Sequence, residues 1–258
     1  MVFYYTGTGN SLWATEQAAA ATQDVVKFIP DERKKEGKLH YSLAKDERLG
    51  IVFPIHAWNP PQTVLEWIDE LVLENYKGQY VYVIMTCAGS AANARKVITK
   101  ALEKKGIHVS ACFELLMPNN YIVGSRVDTK EELGKIFAKV EKEMEQAQVA
   151  IKERKQVTTH IRSLFPVVKT TVIGYFFWKY GKSTKPFSVT DDCVACELCK
   201  NICPKGTISI QQGKPVWGTD CDQCLGCINR CPKKAIRYGK NSAKRGTYQH
   251  PCLKNTNG

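Results

Sequence analysis

Val2-Phe-Tyr-Tyr5, followed at once by Thr6-Gly7-Thr8-Gly9-Asn10-Ser11, decides the architecture of this 258-residue chain. The β-branched and aromatic run reads as a buried strand. The Ala-rich stretch Leu12 to Ala21 beyond the loop reads as a helix. A strand, a hydroxyl- and Gly-rich loop and a helix N-terminus in succession make an anion site, because backbone N–H groups point at the ligand and the helix dipole favours its charge. Phosphate is the natural occupant. The loop has neither the Lys of a Walker A motif nor a G-x-G-x-x-G pattern, so neither a nucleoside triphosphate nor a dinucleotide suits it.

Strands and helices keep alternating downstream. Asp24 to Ile29 reads as the second strand, and the polar, highly charged Pro30 to Arg48 as solvated loop. Leu49 to Ile55 is the third strand, ending in His56-Ala57-Trp58-Asn59-Pro60-Pro61. The paired prolines suit a helix start, and Val64, Ile68, Leu71 and Val72 then recur at helical spacing. Tyr80 to Thr86 is the fourth strand, followed by Cys87-Ala88-Gly89-Ser90 and a helix to Lys105 closed by Gly106. Ile107 to Leu116 is the fifth, leading into Met117 to Ile122. Asp128 with Glu131 is a capping-box signature for a last helix carrying Leu133, Ile136, Val140, Met144 and Ala147 on one face. Residues 1–151 are thus expected to form a doubly wound, five-stranded parallel α/β sheet. In such sheets the ligand lies outside the carboxyl ends of the strands, where the loops Thr6 to Ser11, Pro54 to Asn59 and Thr86 to Ser90 fall.

Thr6, Thr8, Gly9 and Ser11 match T-x-T-G-x-T/S, the FMN-phosphate loop of flavodoxins, and residues 1 to 150 resemble that family. The resemblance implies FMN, with its phosphate on Thr6, Gly7, Thr8, Gly9, Asn10 and Ser11. Its ring is implied between a loop carrying Pro54, His56, Ala57, Trp58 and Asn59 and a loop carrying Thr86, Cys87, Ala88 and Gly89. Trp58 is the candidate to stack on the ring, with Tyr121 second. The alternative for Trp58 is a tryptophan covering the sheet edge. Flavodoxins are usually acidic and often place a Tyr or Trp in the second ring loop, which here holds only small residues; one ring face is then open to another module or a substrate. Cys87 reads as a small residue allowing close backbone approach rather than a reactive thiol. Cys112 reads as core, Cys252 has no assignable role, and His56 is either a hydrogen-bond partner of the ring or a solvent-facing loop residue.

The other decisive stretch is Cys193-Val-Ala-Cys196-Glu-Leu-Cys199-Lys-Asn-Ile-Cys203-Pro204, repeated 28 residues on as Cys221-Asp-Gln-Cys224-Leu-Gly-Cys227-Ile-Asn-Arg-Cys231-Pro232. Three thiolates on one tight turn grip three corners of a cubane, and the fourth iron needs a ligand from further away. Zinc frameworks instead present two separated C-x2-C pairs. Both runs are similar to those of bacterial two-cluster ferredoxins, with no departure at the eight ligand positions. The resemblance implies two [4Fe-4S] clusters with crossed ligation: Cys193, Cys196, Cys199 and Cys231 on one, Cys221, Cys224, Cys227 and Cys203 on the other. A small α+β ferredoxin-like domain is expected over residues 186–258.

The formal charge of +12 is unevenly placed: 18 Lys+Arg against 19 Asp+Glu in residues 1–151, 8 against 1 in 152–185, and 11 against 5 in 186–258. Part of the excess offsets the negative charge of thiolate-bound clusters. The connector 152–185 is too long for a structureless loop. Its run Tyr175, Phe176, Phe177, Trp178 and Tyr180 is expected to pack between the modules rather than on a membrane, and it is too short and Lys-interrupted to span one. A strand beginning at the first residues leaves no room for a signal peptide, so a cytoplasmic location is expected.

Taken together, the chain resembles flavodoxin–ferredoxin fusions, which implies electron transfer between FMN, two clusters and a redox protein, the basic half favouring an acidic one. The alternatives are an FMN-dependent reductase fed by the clusters and a redox-responsive nucleic-acid binder. The first has thin support in acid, base or nucleophile groups. No helix-turn-helix or stacking platform supports the second.

Overall fold

Five parallel strands form the frame of the first module: β1 (Val2–Tyr4), β2 (Val26–Phe28), β4 (Leu49–Pro54), β6 (Val81–Cys87) and β7 (Ala111–Leu116). The computed structural model describes residues 1–35 and 39–254. The strands lie in the order β2-β1-β4-β6-β7. Counting only these five, that is 2-1-3-4-5, the flavodoxin-like order. All seven residues of β6 are buried, as a central strand covered on both faces must be. Helices α1 (Asn10–Thr22) and α5 (Lys130–Lys152) cover one face through Ala14, Ala18, Val140, Met144 and Ala147. Helices α3 (Gln62–Glu70) and α4 (Ala94–Glu103) cover the other through Val64, Trp67, Ile68, Ile98 and Leu102.

Several sequence expectations are corrected. The second strand ends at Phe28, where a one-turn helix α2 (Ile29–Glu32) begins. The stretch Pro30 to Arg48 is not all loop: β3 (Leu39–Ser42) pairs in parallel with β5 (Leu71–Glu74) in a separate two-stranded sheet, while residues 36–38 lie outside the described residues. Leu71 and Val72 therefore belong to a strand and not to the preceding helix. The cap of α5 is Thr129 with Glu132, one residue later than expected, because the Asp128 carboxylate instead accepts the Asn119 N–H at 2.6 Å.

Residues 166–181 of the connector are helical, with wide i→i+5 turns at Lys169–Ile173 and Phe177–Gly181. The second module pairs β8 (Phe187–Val189) with β11 (Ile236–Tyr238) and β9 (Ile208–Gln211) with β10 (Lys214–Trp217), both antiparallel. The internal duplication is visible in the backbone. One-turn helices Leu198–Asn201 and Gly226–Asn229 stand 28 residues apart. The left-handed residues Ala195 (φ 55°) and Glu197 (φ 57°) recur at Gln223 (φ 53°) and Leu225 (φ 55°). The two modules share a core, in which Ile122 of the first packs with Leu225, Ile228 and Ile236 of the second.

Candidate functional site

Beyond the carboxyl ends of β4, β6 and β7 lies a cavity of about 410 Å³, lined by His56, Ala57, Trp58, Cys87, Ala88, Gly89 and Tyr121 together with Ile55, Ser90, Asn120, Ile173, Phe177 and Gln223. The structure thus brings the two expected ring loops and Tyr121 together. Pro54, Asn59 and Thr86 are not among the lining residues. Asn120, Phe177 and Gln223 were not legible as site residues, since Gln223 reads only as a spacer between two cysteines.

The Trp58 loop is a strained two-residue turn. His56 and Asn59 exchange backbone hydrogen bonds at 2.9 and 3.0 Å, and both residues between them have positive φ, Ala57 at 45° and Trp58 at 59°. That geometry normally calls for Asn-Gly. The connector helix holds it: Thr170 Oγ1 donates to the Trp58 carbonyl at 3.2 Å, and Asn59 Nδ2 donates to the Thr170 carbonyl at 3.0 Å. Gly174 permits the close approach, because a Cβ there would collide with the Asn59 side chain.

Behind the cavity, Tyr5, His56 and Asp222 join the modules. Rings of Tyr5 and His56 meet edge to face at 6.0 Å, and Asp222 Oδ2 accepts the Thr63 N–H at 3.3 Å. Burial holds the His56 imidazole below its usual range, against the opposing pull of Asp222. Burial, then the nearby Asp222 and Cys224, push the Tyr5 hydroxyl well up. Among the described residues, the buried Tyr5 hydroxyl, His56 Nδ1 and Asp222 Oδ1 have no partner at hydrogen-bonding geometry.

The Thr6 to Ser11 loop, where the phosphate is expected, is not part of this cavity's lining. Thr8, Asn10 and Ser11 are buried. Gly9 N–H donates to Thr6 Oγ1 at 3.0 Å, Asn120 Nδ2 donates to Thr8 Oγ1 at 2.6 Å, and Ser11 Oγ meets Thr86 Oγ1 at 2.8 Å. Residues 248–253 cover the outer side. Tyr248 donates its hydroxyl to Asn10 Oδ1 at 2.7 Å, His250 N–H donates to the Thr8 carbonyl at 2.8 Å, and a Cβ on Gly9 would lie 2.8 Å from the Leu253 side chain. Cys252, without a role in the sequence, places its thiol 3.6 Å from the Gly9 carbonyl.

This cover is expected to respond to acid. The His250 ring lies 5.7 Å from that of Trp13 and 5.4 Å from that of Phe137, and burial pushes its imidazole from 6.5 down to about 4. Because the folded value is the lower one, the stability His250 contributes is present above pH 6.5 and lost as pH falls through about 4. Acidification across that window should release residues 248–253, read as lost amide-exchange protection at His250 and Leu253. His250→Gln, which cannot be protonated, should keep that protection to lower pH; an identical acid response of both proteins counts against the assignment.

Four of the eight cysteines, Cys193, Cys196, Cys199 and Cys231, share one small cavity walled by Ile210, Pro215 and Ile236. Cys203 lies within electrostatic reach of Cys221, Cys224 and Cys227, each of which burial pushes upward. Backbone N–H groups of Gln223 and Ala235 point at Cys221 Sγ and Cys231 Sγ, both at 3.3 Å. Among the described residues no group of three or more His, Cys, Asp or Glu is placed to hold a metal ion. In a four-iron cluster each thiolate binds a different iron, so its four ligands need not converge on one point.

A scan against protein-family models finds no match, and a search of curated proteins finds none either. Among solved structures, the Trp repressor binding protein from Bacillus subtilis aligns with 59% of this chain and 95% of its own, at 15% identity and a TM-score of 0.36. An azoreductase from Bacillus anthracis aligns with 59% and 98%, at 12% identity and 0.37. An FMN-dependent NADH-azoreductase from Bacillus anthracis, solved in complex with FMN, aligns with 57% and 98%, at 10% identity and 0.32. At these values the neighbours carry no argument about what this chain binds or does.

Proposed function

We propose that this chain is an electron carrier holding FMN in the cavity at the sheet edge, with one [4Fe-4S] cluster on Cys193, Cys196, Cys199 and Cys231 and another on Cys203, Cys221, Cys224 and Cys227. The observation that carries the reading is the position of Gln223: it stands between Cys221 and Cys224 in sequence and forms part of the cavity wall, so the two candidate redox sites share a boundary. A flavin supplies one- or two-electron chemistry and each cluster one-electron chemistry. Cavity volume and lining suit a planar ring, with Trp58 and Tyr121 as aromatic surfaces and Asn120 and Gln223 as polar contacts. The N–H groups aimed at Cys221 and Cys231 support thiolate charge and tune potential. Burial pushes the Cys87 thiol up to about 12. It is therefore no thiolate nucleophile at neutral pH. Exposed Lys233, Lys234 and Lys240 beside Cys231 suit an acidic redox partner.

Anaerobic purification with iron, sulfide and flavin analysis is the test. About eight irons and eight sulfides per chain are expected from the eight thiolates, with about one flavin. Trp58→Ala should weaken flavin binding about tenfold through the lost ring contact while leaving iron unchanged. Because residues 248–253 cover the Thr6 to Ser11 loop, riboflavin should bind within about tenfold of FMN, the ring rather than the phosphate carrying recognition. Absence of flavin, or equal binding by wild type and the Trp58 variant, overturns the flavin part of the proposal; absence of iron and sulfide overturns the cluster part.

A further inference from the structure

The connector was expected to bury its aromatic run between the modules, and only part of it does so. Thr170 and Gly174 are buried against the Trp58 loop, and Phe177 lines the cavity. The opposite face is bare. Phe165 is 75% exposed, Val172 49%, Tyr175 56%, Phe176 55% and Tyr180 60%. From Val168 through Val172, Tyr175 and Phe176 to Tyr180 these positions recur at spacings of three and four, making one stripe along the helix. The aromatic rings gather on the stripe: Phe176 and Tyr180 stack at 6.2 Å, and the Lys179 ammonium stands 5.4 Å over Tyr175 and 5.3 Å over Tyr180. An apolar surface of this kind on a soluble module marks a contact site.

Charge selects the occupant. Residues 154–190 contain no Asp or Glu but hold Arg154, Lys155, Arg162, Lys169, Lys179, Lys182 and Lys185. Arg162, Lys179 and Lys185 are exposed, and Lys179 lies on the stripe. Two copies of the chain meeting through this face would bring like charges together with no carboxylate between them. A protein groove would require the apolar residues to sit inside a polar rim, whereas here Lys179 lies within the stripe and the bulky side chains project from a convex helix. Mixed Phe, Tyr and Lys on one exposed face is the composition of a helix that lies in a membrane interface, rings at headgroup depth and ammonium groups among anionic headgroups. No helix among the described residues is long and apolar enough to cross a membrane, so the contact is with the surface.

We infer that the outer face of the helix over residues 166–181 docks on an anionic lipid surface. The inference is independent of which cofactors the chain holds. The purified full chain should float with vesicles of phosphatidylcholine containing phosphatidylglycerol and not with vesicles of phosphatidylcholine alone, and raised salt should weaken the partition. The triple variant Phe165→Ser, Phe176→Ser, Tyr180→Ser should lose about tenfold or more of that partition, and Lys179→Glu with Lys185→Glu a similar amount. These side chains are solvent-exposed, so both variants should melt with the wild type. Equal flotation of wild type and variants, no flotation of the wild type, or a dimer that the triple variant abolishes would each overturn the proposal.

Discussion

If the two proposed clusters are present, replacing Cys203 by Ser should cost the protein about four of the eight expected irons and leave the rest spectroscopically intact. The loss should fall on the quartet completed by Cys221, Cys224 and Cys227, although Cys203 belongs in sequence to the run that begins at Cys193. Cys203 is the neighbour felt by all three of those thiols, whereas the cavity lined by Cys193, Cys196 and Cys199 takes its fourth cysteine from position 231. Cys231→Ser should give the mirror result. Iron analysis combined with electron paramagnetic resonance of the reduced protein separates the two: loss of the signal assigned to Cys193, Cys196 and Cys199 in the Cys203 variant would show uncrossed ligation and sink the assignment.

The second large effect is expected at Gly7. A Cβ there would lie 2.5 Å from the Cys224 carbonyl oxygen and 3.0 Å from the Cys224 Cβ, and a Cβ on Gly226 would lie 2.9 Å from the Gly7 carbonyl oxygen. Two backbones touch where the modules meet, and neither is the movable end of a side chain. Gly7→Val forces them apart at a cost of about 3 kcal/mol, or roughly 6–12 °C in melting temperature for a chain of this size. Cys224 would be displaced with its backbone, so iron should fall in the same variant. Gly134→Ala is the control: its Cβ meets nothing within 4 Å, and in the interior of α5 it should stabilise by about 0.5–1 kcal/mol. A Gly7→Val protein that melts with the wild type and retains its iron would disprove close backbone contact at this seam.

Features set by local spacing were legible in the sequence, and features set by distant partners were not. The cysteine runs predict their own fold because the turn that holds three thiolates is encoded within seven residues, and the offset of 28 carries over to helices and left-handed residues alike. The five parallel strands were legible from their alternation with helices, whereas their order in the sheet is seen only in the structure. The α5 cap was misplaced by one residue because Asp128 is claimed by Asn119, a loop contact that no capping pattern reveals. Strand β3 escaped notice because Leu39-His-Tyr-Ser42 pairs with residues some thirty positions later, at a point where Leu71 and Val72 continue a helical spacing. In the ring site, Trp58, Tyr121 and the small Cys87 loop could be read from their place after strands. Gln223 and Phe177 could not, since they reach the cavity only once the second module and the connector have docked. The stretch from Val2 through Ser11 into the first helix was read correctly as strand, turn and helix. Its cover was invisible, because residues 248–253 carry no motif and meet it across 238 positions of sequence.

That separation gives synthesis a direction. Tyr248 emerges 238 residues after Asn10, a lag of roughly 10–50 s at ordinary elongation rates. Throughout that interval the Thr6 to Ser11 turn exists on the nascent chain without its lid, next to strands that can already pair. The contacts that close the turn, Tyr248 to Asn10 and His250 to Thr8, can form only once residues 248–250 have left the ribosome.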